Sequence, residues 1–90
     1  MCLLNSTDPK KPITSGFYRQ EAGPALHYTY TYDEMKIIVA GEFDISDSTG
    51  QSVHATPGDV FYFPKGSEIV FSSPTFGLGF FCGQRGPGEA

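Results

Sequence analysis

Apolar and polar side chains alternate with a period of two along several short stretches, most clearly between Ala25 and Tyr32. This is the period of a β-strand, in which neighbouring side chains point to opposite faces. Histidine and threonine occupy one face, and the other carries Leu26, Tyr28, Tyr30 and Tyr32. The pattern predicts a strand whose aromatic face is turned to the protein interior.

Two turn signals delimit a second strand, Val60-Phe61-Tyr62-Phe63. Pro57-Gly58-Asp59 precedes it and Pro64-Lys65-Gly66 follows it, and proline with glycine favours a tight turn at each place. The stretch between the turns is too short, and too rich in β-branched and aromatic residues, for a helix. Glu68 to Ser73 is predicted to form the next strand.

The remaining β-rich stretches lie on either side of this central pair. Met35 to Ser46 is a long run with Gly41 in its middle, where we expect a bulge or a tight bend. Residues 47–50 then form a hairpin loop into Gln51 to Thr56. Thr75 to Cys82 is the last strand, and its alternation turns Gly77, Gly79 and Phe81 to one face and Phe76, Leu78 and Phe80 to the other.

About seven short strands with hairpin-type connections predict an all-β fold, an antiparallel sandwich or small barrel, because an open sheet leaves more edges unpaired. A length of 90 residues allows one domain. We place it at residues 13–83, with Ile13 to Arg19 as a short edge strand. Residues 1–12 and 84–90 have compositions typical of flexible tails.

The formal net charge of −4 argues against nucleic acid or an anionic membrane as a partner, since both require a basic surface. The two cysteines, Cys2 and Cys82, lie near opposite ends of the chain, which does not suggest a disulfide framework. The first residues resemble neither a signal peptide nor a membrane span. We therefore expect a cytoplasmic protein.

The segment from Gly58 to Gly66 resembles the second motif of the cupins, in which a glycine is followed at a fixed distance by Pro-X-Gly. Glu34 and Gly41 match the second half of the first cupin motif. Within the cupins, the stretches around Tyr32 and Pro64 are similar to the ethanolamine-utilisation Q-type subfamily. The resemblance implies a jelly-roll β-barrel with a pocket in its mouth, usually paired as a homodimer.

The metal ligands of the cupins are largely missing here. Alignment to the first motif puts the two histidines at Tyr28 and Tyr30, or at His27 and Thr29 in the other register, and the histidine of the second motif falls on Ile69. Glu34 alone survives of the four ligands, so we expect no tightly bound metal and no other cofactor. His27 and His54 are interpreted as solvent-facing strand residues.

The cupin register predicts an apolar pocket with a few polar groups. We assign Glu34 as general acid or base, Tyr30 or Tyr28 as a donor to a developing oxyanion, and Lys36 as the group that neutralises that oxyanion or forms a Schiff base. Alternatively, Glu34 and Lys36 form a rim ion pair, because a bulge near Asp33 would turn Lys36 to solvent. Expected substrate-binding residues are Tyr28, Ile38, Phe61, Ile69, Phe71, Ser73 and Phe81.

Three functions follow from these assignments. The first is a metal-independent isomerase, lyase or cyclase that acts next to the carbonyl of a small, apolar or aromatic molecule. The second is a non-catalytic module for ligand binding or assembly. The third is a metal-dependent cupin, or an acetate kinase like the ethanolamine-utilisation Q-type proteins, although the sequence has no glycine-rich phosphate loop.

Overall fold

Antiparallel pairing of short strands builds the computed structural model, which describes residues 3–86. No helix occurs in this part of the chain, and so none that could span a membrane. The strands are β1 (Leu3–Asn5), β2 (Thr14–Glu21), β3 (Leu26–Thr29), β4 (Glu34–Gly41), β5 (Phe43–Asp47), β6 (Ser52–Ala55), β7 (Val60–Phe63), β8 (Glu68–Ser72) and β9 (Phe76–Gly83).

The strands form two sheets that enclose one interior. A five-stranded sheet has the order β1-β2-β9-β4-β7, and a four-stranded sheet has the order β3-β8-β5-β6. Neighbours in both sheets are antiparallel, and consecutive strands often belong to different sheets. The prediction of an antiparallel all-β jelly roll is therefore confirmed. The chain builds it with more strands than the seven expected.

The core lies between the sheets and is dominated by aromatic rings. Strand β9 follows the predicted alternation, with Gly77, Gly79 and Phe81 buried and Phe80 exposed. The core cluster consists of Tyr30, Tyr32, Ile38, Phe43, Ile45, Ala55, Phe63, Ile69 and Phe71. The burial of these side chains supplies the main driving force for folding.

The run from Met35 to Ser46 forms two strands in different sheets, and the expected bulge or tight bend near Gly41 separates them. A register shift between Ile38 and Ala40 bends the end of β4, and Gly41 then turns the chain with a φ of 67°. A Cβ atom at Gly41 would lie 2.3 Å from the carbonyl oxygen of Phe76. The residue at this corner is therefore restricted to glycine by its backbone angle and by its neighbour.

The beginning of the chain departs from the prediction of a tail over residues 1–12. Leu3–Asn5 pairs with β2, and the Oγ1 of Thr14 donates a hydrogen bond to Asn5. Consequently β2 is not an edge strand, because it lies between β1 and β9. Backbone pairing holds β1 while its side chains stay exposed, so hydrophobic alternation contains no signal for it. Residues 1 and 2 lie outside the described part.

The prediction that residues 84–90 form a flexible tail is also wrong for Gln84 and Arg85. The amide of Gln84 donates to the carbonyl of Asp33, and the hydroxyl of Thr14 donates to the carbonyl of Arg85. The Arg85 side chain is only 7% exposed. These contacts return the chain to the interior after β9, whereas residues 87–90 lie outside the described part. Cys82 is a free, half-buried thiol.

The outer face of the five-stranded sheet carries exposed apolar side chains. Phe17 and Phe80 are paired across β2 and β9 with ring centroids 5.4 Å apart, and both remain over one-third exposed. Val60 and Tyr62 on β7 are more than half exposed. The homodimer implied by the family resemblance stays a prediction.

We expect Gly41→Ala to destabilise the fold by more than Gly58→Ala. Both glycines have a positive φ, so both substitutions strain the backbone, but a Cβ at Gly58 meets no atom within 4 Å. The additional overlap with Phe76 should cost about 1–3 kcal/mol beyond the shared strain. Urea unfolding of the two variants measures the difference, and equal losses of stability would show that the corner can relax.

Candidate functional site

A cleft of about 170 Å³ opens between the two sheets on the side where β3 faces β2, β9 and the start of β4. Most of its wall is aromatic, and its charged side chains come from β4 and from the segment after β9. The lining residues are Tyr18, Leu26, Tyr28, Tyr30, Tyr32, Glu34, Lys36, Phe71, Phe81 and Arg85.

Strand β4 directs its charged residues into this cleft. Glu34, Lys36 and Ile38 are separated by two residues each, so they share the face that points between the sheets. Glu34 is 4% exposed and Lys36 is 5% exposed. The bulge that would have turned Lys36 to solvent occurs later in the strand, after Ile38. The interpretation of this pair as a solvated rim ion pair is therefore wrong.

Of the three residues assigned catalytic roles from the sequence, Glu34 contacts both of the others. The Nζ of Lys36 lies 3.5 Å from the Oε2 of Glu34. The Tyr30 hydroxyl donates a hydrogen bond to the same carboxylate oxygen. Strand β3 ends at Thr29, and backbone bonds from Tyr30 to Ser67 and from Gly66 to Tyr30 hold the ring in place beyond the strand.

Aromatic rings surround the Lys36 ammonium group. Its Nζ lies 4.4 Å from the ring centroid of Phe71 and 5.3 Å from that of Tyr18. On the neighbouring strand, a Cβ at Gly79 would come within 3.3 Å of the Lys36 stem, so glycine leaves space for it. The negatively charged faces of these aromatic rings therefore replace part of the water that would hydrate the Lys36 ammonium group.

Burial shifts the proton affinities of these groups. It lowers the pKa of Lys36, because the desolvated ammonium loses hydration, and this outweighs the opposing effect of Glu34. Burial also raises the pKa of Tyr30, and the negative charge of Glu34 adds to the effect. The pKa of Tyr32 is raised by burial and by its hydrogen bond with Tyr28. The phenols are thus held as neutral hydrogen-bond donors.

Four residues predicted to bind substrate lie elsewhere. Ile38 is packed in the core at 1% exposure, and the buried Ser73 hydroxyl accepts a bond from the amide of Thr75. Phe61 and Ile69 line a different cavity of about 470 Å³, between β5, β6 and β7. The alternation correctly predicted that these side chains point inward, but it does not specify which part of the interior they reach. Tyr28, Phe71 and Phe81 do line the cleft.

Four lining residues were missed. Tyr32 lay on the correct face of the Ala25 to Tyr32 pattern and could have been assigned from it, as could Leu26. Tyr18 comes from the strand interpreted as an edge. Arg85 lies between Gln84 and Gly86 in a segment of tail-like composition, so no local pattern marked it. Its guanidinium lies 5.5 Å from the ring centroid of Tyr32.

The donor set does not fit the divalent metal that the cupin resemblance implies. Among residues 3–86, Glu34 is the one carboxylate that lines the cleft, and its Oε2 is already engaged by Tyr30 and by the Lys36 cation. An ammonium group at this distance repels a metal ion, and phenols do not replace imidazoles. Within residues 3–86, no cluster of three His, Cys, Asp or Glu side chains has metal-binding geometry.

Both histidines lie on the outer surface, as predicted. His27 is exposed on β3. The His54 ring lies between two carboxylates, with Nδ1 2.6 Å from Asp44 and Nε2 3.0 Å from Glu42. The hydrogen bond with Asp44 is the main cause of a raised pKa of His54, and the charge of Glu42 contributes.

Comparison with known proteins agrees with this architecture. The profile of the ethanolamine utilisation protein EutQ family matches residues 3–81. A protein named acetate kinase EutQ from Escherichia coli strain K12 is 33% identical over 70 residues, which are 78% of this chain and 29% of that protein. The chain spans between 20% and 31% of the length of the curated relatives that it matches.

Solved structures show the same fold. An ethanolamine utilization protein Q from Salmonella typhimurium superimposes with a TM-score of 0.74 at 26% identity, over 91% of this chain and 67% of the other. A cupin superfamily protein from Desulfitobacterium hafniense gives a TM-score of 0.74 at 14% identity, over 92% of this chain and 75% of the other. The predicted cupin barrel is thereby confirmed.

We expect Lys36→Met to destabilise the protein by about 3–5 kcal/mol, because it leaves the Glu34 carboxylate buried without its cation. The double variant Glu34→Gln/Lys36→Met removes both charges and should recover most of this loss. Urea unfolding of wild type, both single variants and the double variant gives the coupling energy. Additive single effects would mean that the two charges do not stabilise each other.

Removal of the Asp44 carboxylate should lower the pKa of His54 towards the ordinary histidine value. Because the pKa of His54 is raised in the folded state, its contacts with Asp44 and Glu42 stabilise the protein at pH values below the ordinary histidine pKa. This stabilisation is lost as the pH rises through the raised pKa. NMR titration of the ring protons in Asp44→Asn measures the change, with His27 as the internal control. A His54 titration curve that does not move would contradict the assigned contact.

Proposed function

Because this chain belongs to the ethanolamine utilisation protein EutQ family, and because its barrel holds an acid, an amine and a phenol in contact, we propose that the cleft binds a small carbonyl compound and transfers protons next to the carbonyl. The contact of Glu34, Lys36 and Tyr30 at the wall of the cleft is the observation that carries this proposal. Isomerisation, elimination or cyclisation are the possible outcomes.

Glu34 acts as the base in this proposal. Removal of a proton from the carbon next to a carbonyl requires a general base within hydrogen-bond reach, and a carboxylate away from bulk water can serve as that base. The Glu34 side chain is 4% exposed and lines the cleft. The Tyr30 hydroxyl and the Lys36 amine fix its orientation, so a bound substrate meets a base in one defined position.

The negative charge that develops on the carbonyl oxygen needs stabilisation from the same groups. Lys36 is the one lysine in the cleft and lies beside the base. The Tyr28 and Tyr32 hydroxyls are hydrogen-bonded to each other at 2.8 Å, so one of their two protons remains to donate to a ligand at the wall. Preorganised donors of this kind lower the barrier without reorganisation during the reaction.

The size and lining of the cleft favour a small ligand with an apolar body. A dry apolar cavity of about 150 Å³ accommodates benzene, and the cleft measures about 170 Å³. Phe71, Phe81 and Leu26 provide apolar contact, whereas the polar groups concentrate around Glu34 and Arg85. A compound with few heavy atoms and one carbonyl matches this distribution.

Acetate kinase activity is the second candidate. Similarity to proteins named acetate kinase supports it, as does the presence of two cations, Lys36 and Arg85, at the wall of a cleft of suitable size for a small carboxylate. Phosphoryl transfer depends mainly on positioning and on charge neutralisation. The chain spans at most 31% of these relatives, and no glycine-rich phosphate loop occurs in its sequence.

The proposed proton transfer is tested by hydrogen–deuterium exchange. Small aldehydes, ketones and oxo acids are incubated with the protein in D₂O, and loss of the signal of the proton next to the carbonyl is followed by NMR. We expect exchange that survives a chelator and falls by about 10²–10⁴-fold in Glu34→Gln, since this is the usual contribution of a general base.

Glu21→Gln provides the matched control. Glu21 carries the same functional group, but it lies at the surface in an ion pair with Arg19 and does not line the cleft. Its exchange rate should equal that of the wild type, and thermal melting establishes that both variants are folded. Wild-type rates in Glu34→Gln would overturn the proposal, whereas transfer of phosphate from ATP to acetate would favour the second candidate.

A further inference from the structure

We propose that Lys36 activates the carbonyl compound covalently, by condensing with small aldehydes or ketones to form an imine within the cleft. This inference rests on the proposed function and specifies how the carbonyl is activated. It also defines the ligand class, because imine formation requires an aldehyde or ketone rather than an ester, amide or carboxylic acid. Lys36 would then be the nucleophile of the site, and not merely a positive charge.

The position of Lys36 meets the geometric needs of such a residue. Its side chain is 5% exposed, yet it lines the cleft together with Tyr28 and Phe71. A molecule that enters the cleft therefore meets the amine without passing through the core. The other lysines, Lys10, Lys11 and Lys65, are all exposed.

The surroundings of Lys36 act on its charge in opposite directions. The ring of Phe71 at 4.4 Å and the Glu34 carboxylate at 3.5 Å favour the ammonium form. Loss of hydration favours the neutral amine, and this effect is the larger one, so the pKa of Lys36 is lowered. A neutral amine is the form that attacks a carbonyl carbon. Lys36 thus supplies this form more readily than a surface lysine does.

Glu34 is placed to move every proton that the condensation requires. It first takes a proton from the Lys36 ammonium group, 3.5 Å away. The amine lone pair then attacks the carbonyl carbon, and the carbonyl oxygen takes the proton from Glu34. The Glu34 carboxylate next removes a proton from the nitrogen of the adduct and donates it to the hydroxyl group that was the carbonyl oxygen. Water leaves as the nitrogen lone pair forms the C=N bond.

In the overall reaction, the Lys36 ammonium group and a carbonyl compound give a protonated imine and water. Glu34 ends the reaction as a carboxylate. No oxidant or reductant is consumed. A protonated imine withdraws electrons from the adjacent carbon more strongly than a carbonyl does, so the regenerated carboxylate can remove the proton there. Tyr30 acts as a positioning residue, because its hydroxyl binds the carboxylate oxygen that faces Lys36.

Reductive trapping of the wild-type protein tests the proposal. The folded protein is incubated at neutral pH with propanal and sodium cyanoborohydride, which reduces the imine to a stable propyl amine, and each lysine is then quantified by peptide mass spectrometry. We expect Lys36 to be labelled at least several-fold faster than Lys10, Lys11 or Lys65, since it lines the cleft beside Glu34 and a lowered pKa raises the neutral fraction of its amine.

Two comparisons complete the experiment. Unfolding the protein in urea before labelling should abolish the preference for Lys36, because the cleft no longer exists. Lys36→Arg keeps a cation but has no nucleophilic amine, so cleft labelling should disappear while labelling of the exposed lysines continues. Trapping at Lys36 that is no faster than at the exposed lysines would overturn the proposal.

The proposed function can fail separately from this inference. If exchange next to the carbonyl depends on Glu34 but Lys36 is not trapped, the proton-transfer function stands and Lys36 acts through its charge. If Lys36 is trapped selectively but no exchange occurs, the covalent site stands and the proton-transfer function falls.

Discussion

The buried contact between Glu34 and Lys36 constrains the rest of the molecule. Each charge loses its hydration between the sheets, and each is tolerable there because the other lies 3.5 Å away. Strand β4 keeps the pair together, because residues two apart share a face. Replacement of a buried ion pair by apolar residues of similar volume is often neutral or stabilising, whereas loss of one partner is costly, so each of the two charges requires the other.

Aromatic rings provide the surroundings that the pair of Glu34 and Lys36 requires. Tyr30 stacks on Phe63 with centroids 5.3 Å apart, and Phe63 stacks on Phe61 at 5.9 Å. This row of rings separates the cleft with its charged residues from the larger cavity between β5, β6 and β7. Since rings pack densely and leave little room for water, they maintain the low-dielectric surroundings in which the amine pKa is lowered and the phenols keep their protons.

The cupin barrel is used here with a different set of functional groups. In the two alignments of the first cupin motif, the positions of the metal-binding histidines fall on Tyr28 and Tyr30 or on His27 and Thr29, and Glu34 is bound by a phenol and an amine. The same scaffold can therefore present an organic acid–base pair, in agreement with the general rule that function resides in the site and not in the fold.

The sequence by itself determined the strand character, the two proline–glycine turns and the inward face of Tyr28, Tyr30, Glu34 and Lys36, because alternation and turn chemistry are local properties. Only the tertiary structure decided which inward residues share a cavity, since Phe61 and Ile69 satisfy the same alternation but line the larger cavity and not the cleft. The division of Met35 to Ser46 between two sheets depends on the close approach of Phe76 to Gly41, a contact between distant parts of the chain. Arg85 enters the cleft, and Leu3–Asn5 forms a strand, through long-range backbone hydrogen bonds that leave no periodic trace in the sequence.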